Sequence, residues 1–491
     1  MPLLLMACLW TAPGCQSNSA AENPPGQEVW EAYYLQGAKV GYGSTMIRPA
    51  QRRGTSGKEF DSNTHLAISR FGQRVEQTVA MSCFENDAGD LLEFKTSIDS
   101  GPEPTVVSGR VEGQELVMEV QTKGRTQSFR SPLQPGTGGF QAIERSLETR
   151  PMQPGEKRAL RMLVPLINQV AEVEIEAKSL ESTRLLGSEA RLLRIESVAR
   201  LPDGQTLNST LWADSNGKSI KTRIETLDQE SFRTTRDVAT SESSPAQFDL
   251  GSDLIVKVDP PLANPHATRR VRYLVELASG DPLKVFPQGP TQEVRKVGEH
   301  AAEVTVRSLR PADLPDGGSK ARAPTAFLAA NSVLQIDDPR IQSMAKEAAG
   351  QEPDPVRVAL ALEAYVHRAM TQRNFCQAFS TAAEVAETRE GDCTEHSVLL
   401  AALARARGIG SRVAIGLVYV ESAGGFGFHM WTEMFLAGQW VPLDATLGQS
   451  GIGAAHLKLG DSDLEGASAY SSFLPVAQVA GQLKIKVLAA E

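Results

Sequence analysis

Three short motifs near the C-terminal end of the chain hold a cysteine, a histidine and an aspartate, in that order. Residues 391–396 have the sequence GDCTEH, residues 429–431 have HMW and residues 440–444 have WVPLD. The local sequence predicts a helix starting near Cys393 and strands carrying His429 and Asp444. A cysteine nucleophile, its base and the acid that orients the base can be built in this order. The motifs therefore point to one α+β site.

The cysteine is predicted to lie in the first turn of a helix. Residues 397–407 are rich in Ala, Leu and Arg, which favour helices, and Gly408 supplies the stop. Asp392 occupies the position of an N-cap. A helix start favours the thiolate form of a cysteine, and its unpaired N–H groups can bind an oxyanion. Cys393 is therefore the candidate nucleophile.

The histidine and the aspartate are predicted to lie on neighbouring strands. Residues 411–420, rich in β-branched side chains, predict one strand. We expect a glycine-rich, mobile turn at 424–427, a strand at 428–436, and a hairpin turn into 440–444. His429 and Asp444 would then be close enough to pair. The carboxylate would fix the imidazole tautomer and leave the other ring nitrogen for the thiol.

These motifs together resemble the bacterial transglutaminase-like superfamily. The resembling residues also include 403–406, 408–409, 432–433 and 445–446, and the resemblance covers roughly 325–465. It implies a papain-like fold with Cys393 as nucleophile, His429 as general base and Asp444 as orienting acid. The implied chemistry is thioester formation on an amide of a peptide or protein. Neither the motifs nor the resemblance implies a cofactor or a metal ion.

Other interpretations of the same residues stay open. A lone cysteine in an Ala/Leu helix is usually a small core residue. Cys393 and His396 also form half of a zinc-binding pattern, but a structural zinc site takes about four ligands and the sequence offers no second pair. A relative that kept the fold for binding in the cell envelope, without catalysis, is a further alternative.

Composition limits the partners. The chain has 491 residues, a formal net charge of −9 and 41% hydrophobic residues, which indicates two to four globular domains. An acidic chain without basic runs is not expected to bind nucleic acid. We expect a peptide or protein substrate, and contact with a membrane only through a lipid anchor.

The N-terminus resembles an export signal. Residues 3–10 form a short apolar run, and small residues precede Cys15 as in a bacterial lipoprotein signal. This pattern predicts lipidation at Cys15 and a periplasm-facing location in the bacterial cell envelope. An ordinary cleaved signal, or an apolar start of a cytosolic protein, are the alternatives.

The rest of the chain divides into segments by pattern. Two-residue alternation at 64–69, 75–80 and 92–97 predicts an antiparallel β-rich region, with a helix near 141–147. The fold class is thus multidomain α+β, with antiparallel β domains followed by a papain-like core. The predicted segments are a signal and tether at 1–26, a β-rich domain at 27–240, a small β domain at 250–310, a transglutaminase-like catalytic domain at 325–465 and a closing segment at 466–491.

The sequence favours a hydrolytic thiol enzyme. Attack by Cys393 gives the same acyl-enzyme whether water or an amine resolves it. A mobile glycine-rich turn before His429 would admit water, so we expect cleavage or deamidation of amides. Transfer of the acyl group to a lysine amine is the first alternative.

Overall fold

A computed structural model describes residues 26–99, 104–123, 125–225, 228–242, 249–315, 321–372, 379–465 and 469–491. The predicted signal with Cys15 lies outside the described residues, as does Cys376. Lipidation and envelope location therefore stay predictions.

The chain folds as two compact units. Within the described ranges, the first unit comprises residues 26–69 and 74–242, and the second comprises residues 70–73 and those from 249 onward. The predicted segments 250–310, 325–465 and 466–491 all lie in the second unit. The finer division of the chain into those segments stays a prediction.

The first unit is one fifteen-stranded sheet in which sequence neighbours pair in antiparallel hairpins. The two ends of the strand series meet where β1 pairs with β15, and the two-residue strand β9 runs parallel to β10. The strands are β1 Gln27–Leu35, β2 Ala38–Arg52, β3 Thr55–Arg70, β4 Gln73–Asn86, β5 Leu91–Asp99, β6 Thr105–Glu112, β7 Glu115–Thr122, β8 Arg125–Pro132, β9 Thr137–Gly138, β10 Lys157–Val164, β11 Gln169–Arg184, β12 Glu189–Arg200, β13 Thr206–Ala213, β14 Ser219–Ile224 and β15 Gln229–Thr234.

Alternating burial explains why these segments are strands. In β3 every second residue from Phe60 to Ile68 is buried, as expected of a sheet with one face in a core. The helices of this unit are α1 Ala142–Thr149 and α2 Arg236–Thr240. Buried Ile143 and Leu147 lie on α1, which contacts β10. The predictions of an antiparallel β-rich region and of a helix near 141–147 are confirmed.

The second unit combines helices with two antiparallel sheets. Its helices are α3 Pro282–Val285, α4 Pro339–Ala349, α5 Pro355–Ala369, α6 Ala382–Thr388, α7 Cys393–Ala406 and α8 Leu474–Val479. Short 3-10 turns cover Pro311–Asp313, Thr325–Phe327, Glu421–Ala423 and Ala469–Phe473. Its strands are β16 Val256–Lys257, β17 Arg270–Leu277, β18 Gln292–Lys296, β19 Ala301–Arg307, β20 Ser411–Val420, β21 Gly425–Leu436, β22 Gln439–Leu443, β23 His456–Ser462 and β24 Leu483–Ala490.

The two sheets of this unit have simple orders. One runs β16-β21-β20-β23, with β22 paired to β21. The other runs β18-β19-β17-β24, so the C-terminal strand completes a sheet begun at residue 270. Among the described residues no helix is both long and apolar enough to cross a membrane.

Helix α7 is the centre of the second unit. Residues 394–405 are all buried, and α7 contacts helices α4, α5 and α6 as well as β20 and β21. A helix buried all round must satisfy its polar groups internally. Arg405 does so by donating hydrogen bonds to the backbone oxygens of Ala329, Ser411 and Asp463.

The predicted helix start at Cys393 is confirmed, and other helices of this unit begin by the same means. The side chains of Asp338 and Asp354 accept hydrogen bonds at the N-termini of α4 and α5, each followed by proline. Thr381 begins α6 with a capping box, and Asp392 caps α7. Each cap satisfies N–H groups that the helix leaves unpaired, which explains why the chain enters a helix at these residues.

The predicted glycine-rich turn before His429 is wrong. Only Gly424 lies outside the strand; Gly425 to Gly427 belong to β21, are buried, and pair with β20. The glycines permit close backbone approach, because a Cβ on Gly425 would lie 2.5 Å from the carbonyl oxygen of Val256 in β16. These residues therefore form a paired strand and give no support to a mobile turn that admits water.

Replacement of Gly425 by alanine tests this close approach. We expect Gly425→Ala to destabilise the protein by about 1–3 kcal/mol, because the backbone of β16 must move to admit the methyl group. Gly289→Ala is the control, since a Cβ at Gly289 would meet no atom within 4 Å. Urea unfolding measures both. Equal unfolding midpoints for the two variants would contradict the packing.

Candidate active site

The start of α7 is fixed by a capping box around Cys393. Asp392 Oδ1 accepts a hydrogen bond from the N–H of Thr394 at 2.7 Å, and Glu395 Oε2 accepts one from the N–H of Asp392 at 3.0 Å. Gly391 has φ of +142°, and a Cβ there would lie 2.4 Å from the Glu395 side chain. Glycine is therefore required before the cap, and the cap holds Cys393 at the first helical position.

Cys393 is partly exposed, whereas the residues that follow it in its helix are buried as far as Arg405. Its carbonyl oxygen accepts a hydrogen bond from the Ser397 hydroxyl at 2.7 Å. The backbone oxygen of Ser397 in turn accepts one from the Thr432 hydroxyl of β21 at 3.0 Å. These two bonds tie the cysteine end of α7 to the strand that carries the histidine.

His429 and Asp444 meet through the β21–β22 hairpin. His429 lies on β21 opposite Gly416, and Asp444 follows the last residue of β22. Nε2 of His429 lies 2.7 Å from Oδ2 of Asp444, and both side chains are buried. Cys393 also acts on this ring, since its charge and its side chain both raise the pKa of His429. With Nε2 directed at the carboxylate, Nδ1 is the nitrogen available to the sulfur.

The electrostatics favour a charged pair. Burial lowers the pKa of His429, but the negative charges of Asp444 and Cys393 outweigh it and raise this pKa well above its usual value. Burial raises the pKa of Asp444, yet its attraction to His429 holds that pKa well below its usual range. The favoured state is an imidazolium beside a carboxylate.

Asp444 is held by donors on both of its oxygens. Oδ1 accepts hydrogen bonds from the backbone N–H of Thr446 at 2.9 Å and of Leu447 at 3.4 Å. Oδ2 accepts from His429 and also lies 3.1 Å from Nε2 of His456, the first residue of β23. A carboxylate with this many donors is strongly favoured in its charged form.

Two residues of this cluster were not predicted from the sequence. Glu363, on α5, is 1% exposed, and its Oε1 accepts hydrogen bonds from the backbone N–H of Asp444 and Gly451. His456 is the other. The clustering of histidines in the sequence is a signal for His456, since three of the seven histidines of the chain lie within residues 396–456.

Other polar and aromatic residues of this region have separate roles in the structure. Nδ1 of the buried His396 donates a hydrogen bond to the backbone oxygen of Asp392 at 2.6 Å, so this ring braces the helix start. His367 is exposed, and its Nδ1 donates to the backbone oxygen of Ala445. Trp431 is buried, with its ring 6.4 Å from that of His429 and stacked on it.

One cluster in the described part of the chain has the ligand types of a metal site. The ligand atoms of His429, Asp444 and His456 lie within 4.8 Å of one another. Both Nε2 atoms, however, lie within hydrogen-bonding distance of the same carboxylate oxygen. That arrangement is typical of two imidazole N–H groups donating hydrogen bonds to one carboxylate oxygen. His396, the histidine of the CxxH pattern, does not belong to this cluster.

A comparison with protein families matches the segment of the chain that contains Cys393, His429 and Asp444. Residues 342–445 match the family model of the transglutaminase-like superfamily. The second unit therefore holds a C-terminal transglutaminase-like domain. The match includes Cys393, His429 and Asp444 and ends one residue after Asp444, so His456 lies beyond it. A search of curated proteins found no match to this chain.

Solved structures show only distant likeness. A candidate cysteine protease of Cytophaga hutchinsonii has a TM-score of 0.31 and 14% identity, covering 46% of this chain and 88% of that one. A β-barrel-like domain of unknown function from Brucella abortus has a TM-score of 0.32 and 10% identity, covering 44% and 98%. A candidate protease of Parabacteroides distasonis has a TM-score of 0.19 and 10% identity, covering 70% and 64%. At these scores no activity is inferred from them.

Glu363 gives a prediction of pH dependence. Burial raises its pKa from 4.5 to about 7, with the charge of Asp444 adding to the effect. A carboxyl whose pKa is higher in the folded state stabilises that state when protonated. This contribution is complete below the unfolded pKa and is lost as pH rises through about 7.

Glu363→Gln should remove this dependence, because the amide oxygen can still accept both backbone hydrogen bonds. We expect the melting temperature of the wild type to fall, relative to this variant, as pH rises from about 5 to about 8. Thermal melts across pH measure it. Exposed Glu189→Gln is the control and should follow the wild type. Parallel melting curves for wild type and Glu363→Gln would contradict the assignment.

Proposed function

We propose that the transglutaminase-like domain is a thiol enzyme acting on amide bonds of peptides or proteins. The observation that carries the proposal is the position of His429, which has Asp444 at Nε2 and Cys393 as its other partner. This arrangement supports an activated nucleophile, because the orienting acid lies within hydrogen-bond distance of the base and Cys393 acts on the same imidazole.

The proposed reaction passes through a thioester. The thiolate of Cys393 attacks the substrate carbonyl carbon, and the carbonyl oxygen becomes an oxyanion. The side chain of Asp392 accepts hydrogen bonds from the backbone N–H groups of Thr394 and Glu395. The backbone N–H of Cys393 has no acceptor among the described residues. That N–H is the proposed oxyanion donor.

His429 is the proposed proton carrier. The C–N bond of the tetrahedral intermediate breaks as His429 gives the proton on Nδ1 to the leaving amine. The acyl group then remains on the Cys393 sulfur. In the second half, His429 takes a proton from the incoming nucleophile, which bonds to the acyl carbon. The C–S bond then breaks, so the product leaves and the Cys393 sulfur returns as the thiolate. Asp444 stays ionised and stabilises each imidazolium that forms.

Thiol labelling tests the nucleophile. We expect Cys393 to be alkylated by iodoacetamide faster than Cys83, because Cys83 is buried and burial raises the pKa of its thiol well above the usual value. His429→Ala should slow the labelling of Cys393 but not that of Cys83. Mass spectrometry of the digested protein follows each site. Faster labelling of Cys83 would favour a silent binding module.

The same variants define the expected loss of activity. Cys393→Ala should abolish turnover, and His429→Ala should reduce it by about 10²–10⁴-fold through loss of the base. Asp444→Asn should lose less than either, because effects within such a unit are not additive. Wild-type activity in His429→Ala would contradict the proposed roles.

We further propose that water, rather than a lysine amine, resolves the thioester. The support is the partial exposure of Cys393, which allows solvent to reach an acyl group on its sulfur. A crosslinking enzyme needs a route for an amine and protection from water.

A competition experiment separates the two outcomes. A library of peptides with glutamine and backbone amides is incubated with enzyme and excess primary amine, and the products are analysed by mass. We expect free acids to predominate, from peptide cleavage or side-chain deamidation. Predominant amine adducts would assign acyl transfer instead, and Cys393→Ala is the control that must give neither product.

A further inference from the structure

We propose that His456 is a positioning residue of this site, which holds the Asp444 carboxylate that in turn orients His429. This inference deepens the proposed function and rests on it. His456 lies beyond the segment matched to the transglutaminase-like superfamily. Its role is assigned from the contacts of its own ring.

The position of His456 is set by the sheet. It begins β23 opposite Val418 of β20, while His429 lies on β21 on the other side of β20. The side chain of His456 has no exposed surface. Its Nε2 lies 3.1 Å from Oδ2 of Asp444, the same oxygen that His429 approaches to 2.7 Å. The two imidazoles therefore share one carboxylate oxygen.

The surroundings define which nitrogen of His456 carries a proton. Nδ1 is buried and has no hydrogen-bond partner among the described residues. A proton on Nδ1 would be a buried donor without an acceptor, and Nε2 would then face the carboxylate with a lone pair. The tautomer that fits is the neutral ring with its proton on Nε2, donated to Asp444.

The rings around His456 keep that orientation. The ring of Trp431 meets the His456 ring edge to face, with the ring centres 5.2 Å apart. The ring of His266 also meets it edge to face, with the ring centres 6.2 Å apart. Within the described part of the chain, neither ring offers a hydrogen bond to Nδ1 of His456. The aromatic packing therefore fixes the ring, and its polar contact is with the carboxylate.

The consequence for His429 follows from how Asp444 is held. The backbone donors of Thr446 and Leu447 both act on Oδ1, so His456 is the second donor that fixes Oδ2. Without it, His429 is the one remaining donor to Oδ2 among the described residues, and the orienting acid depends on the residue that it should orient. Loss of one hydrogen bond to a charged group corresponds to about tenfold in rate.

Labelling of Cys393 by iodoacetamide tests this in the full-length protein. We expect His456→Phe, which keeps a ring but removes the donor, to slow the labelling about tenfold. His456→Gln should stay near the wild-type rate, because its amide N–H can replace Nε2–H. His300→Phe, at an exposed histidine whose ring bonds to the backbone oxygen of Gly280, is the control and should also stay near wild type. Equal slowing in the Phe and Gln variants would overturn the proposal.

A double-mutant cycle tests the route of action. If His456 acts through Asp444, His456→Phe should have no further effect on labelling in the Asp444→Asn background. Additive slowing would overturn the proposal. Should the Phe variant fail to fold, NMR of the imidazole nitrogens of the wild type decides: a neutral His456 protonated on Nε2 supports the proposal, and protonation on Nδ1 overturns it.

The failure of this inference is distinguishable from that of the proposed function. Ordinary thiol reactivity of Cys393 in the wild type, unchanged by His429→Ala, would overturn both. Fast labelling that depends on His429 but is the same in wild type and His456→Phe would overturn the role of His456 alone.

Discussion

The ionised carboxylate of Asp444 is the group around which the candidate active site is organised. A buried negative charge is costly unless hydrogen bonds and an opposite charge compensate it. In this unit the compensation comes from separate parts of the chain, namely the hairpin that carries His429, the start of β23 and the turn after β22. The hydrogen bonds to this charge join the three parts of the chain, and one of them holds His429, the proposed base.

Cys393 is positioned by a second structural feature, which is independent of the hydrogen bonds to Asp444. The capping box of Asp392 and Glu395 fixes where α7 begins, and its buried length fixes the helix against β20 and β21. Capping determines the helix start because it satisfies N–H groups that the helix leaves unpaired. Cys393, the proposed nucleophile, thus lies at a defined end of a buried helix, while His429, the proposed base, lies on a strand paired with β20.

Much of this was predictable from the sequence because it depends on local signals. The helix start at Cys393 follows from Asp392, and the α4 and α5 starts follow from Asp-Pro pairs. The adjacency of His429 and Asp444 follows from a tight hairpin. Local caps and turns need no knowledge of distant residues, so their signals survive in a single sequence.

The features that the sequence does not predict depend on contacts between residues distant in the chain. The sequence predicts a mobile turn at Gly425 because glycine is common in turns. Glycine is needed at this position for another reason: the backbone of β16, which lies far earlier in the chain, passes too close to admit a side chain. Glu363 and His456 have no motif, and only the fold brings them to Asp444.

The charge of Asp444, which lies 2.7 Å from Nε2 of His429 in a buried site, and that of Cys393 favour the imidazolium form of His429. The most direct measurement is the nitrogen NMR spectrum of the His429 imidazole at neutral pH, in the wild type and in Cys393→Ala and Asp444→Asn. We predict an imidazolium in the wild type and a shift toward the neutral ring in each variant, because each removes a negative partner. A neutral His429 ring in the wild type, unchanged in both variants, would contradict the claim.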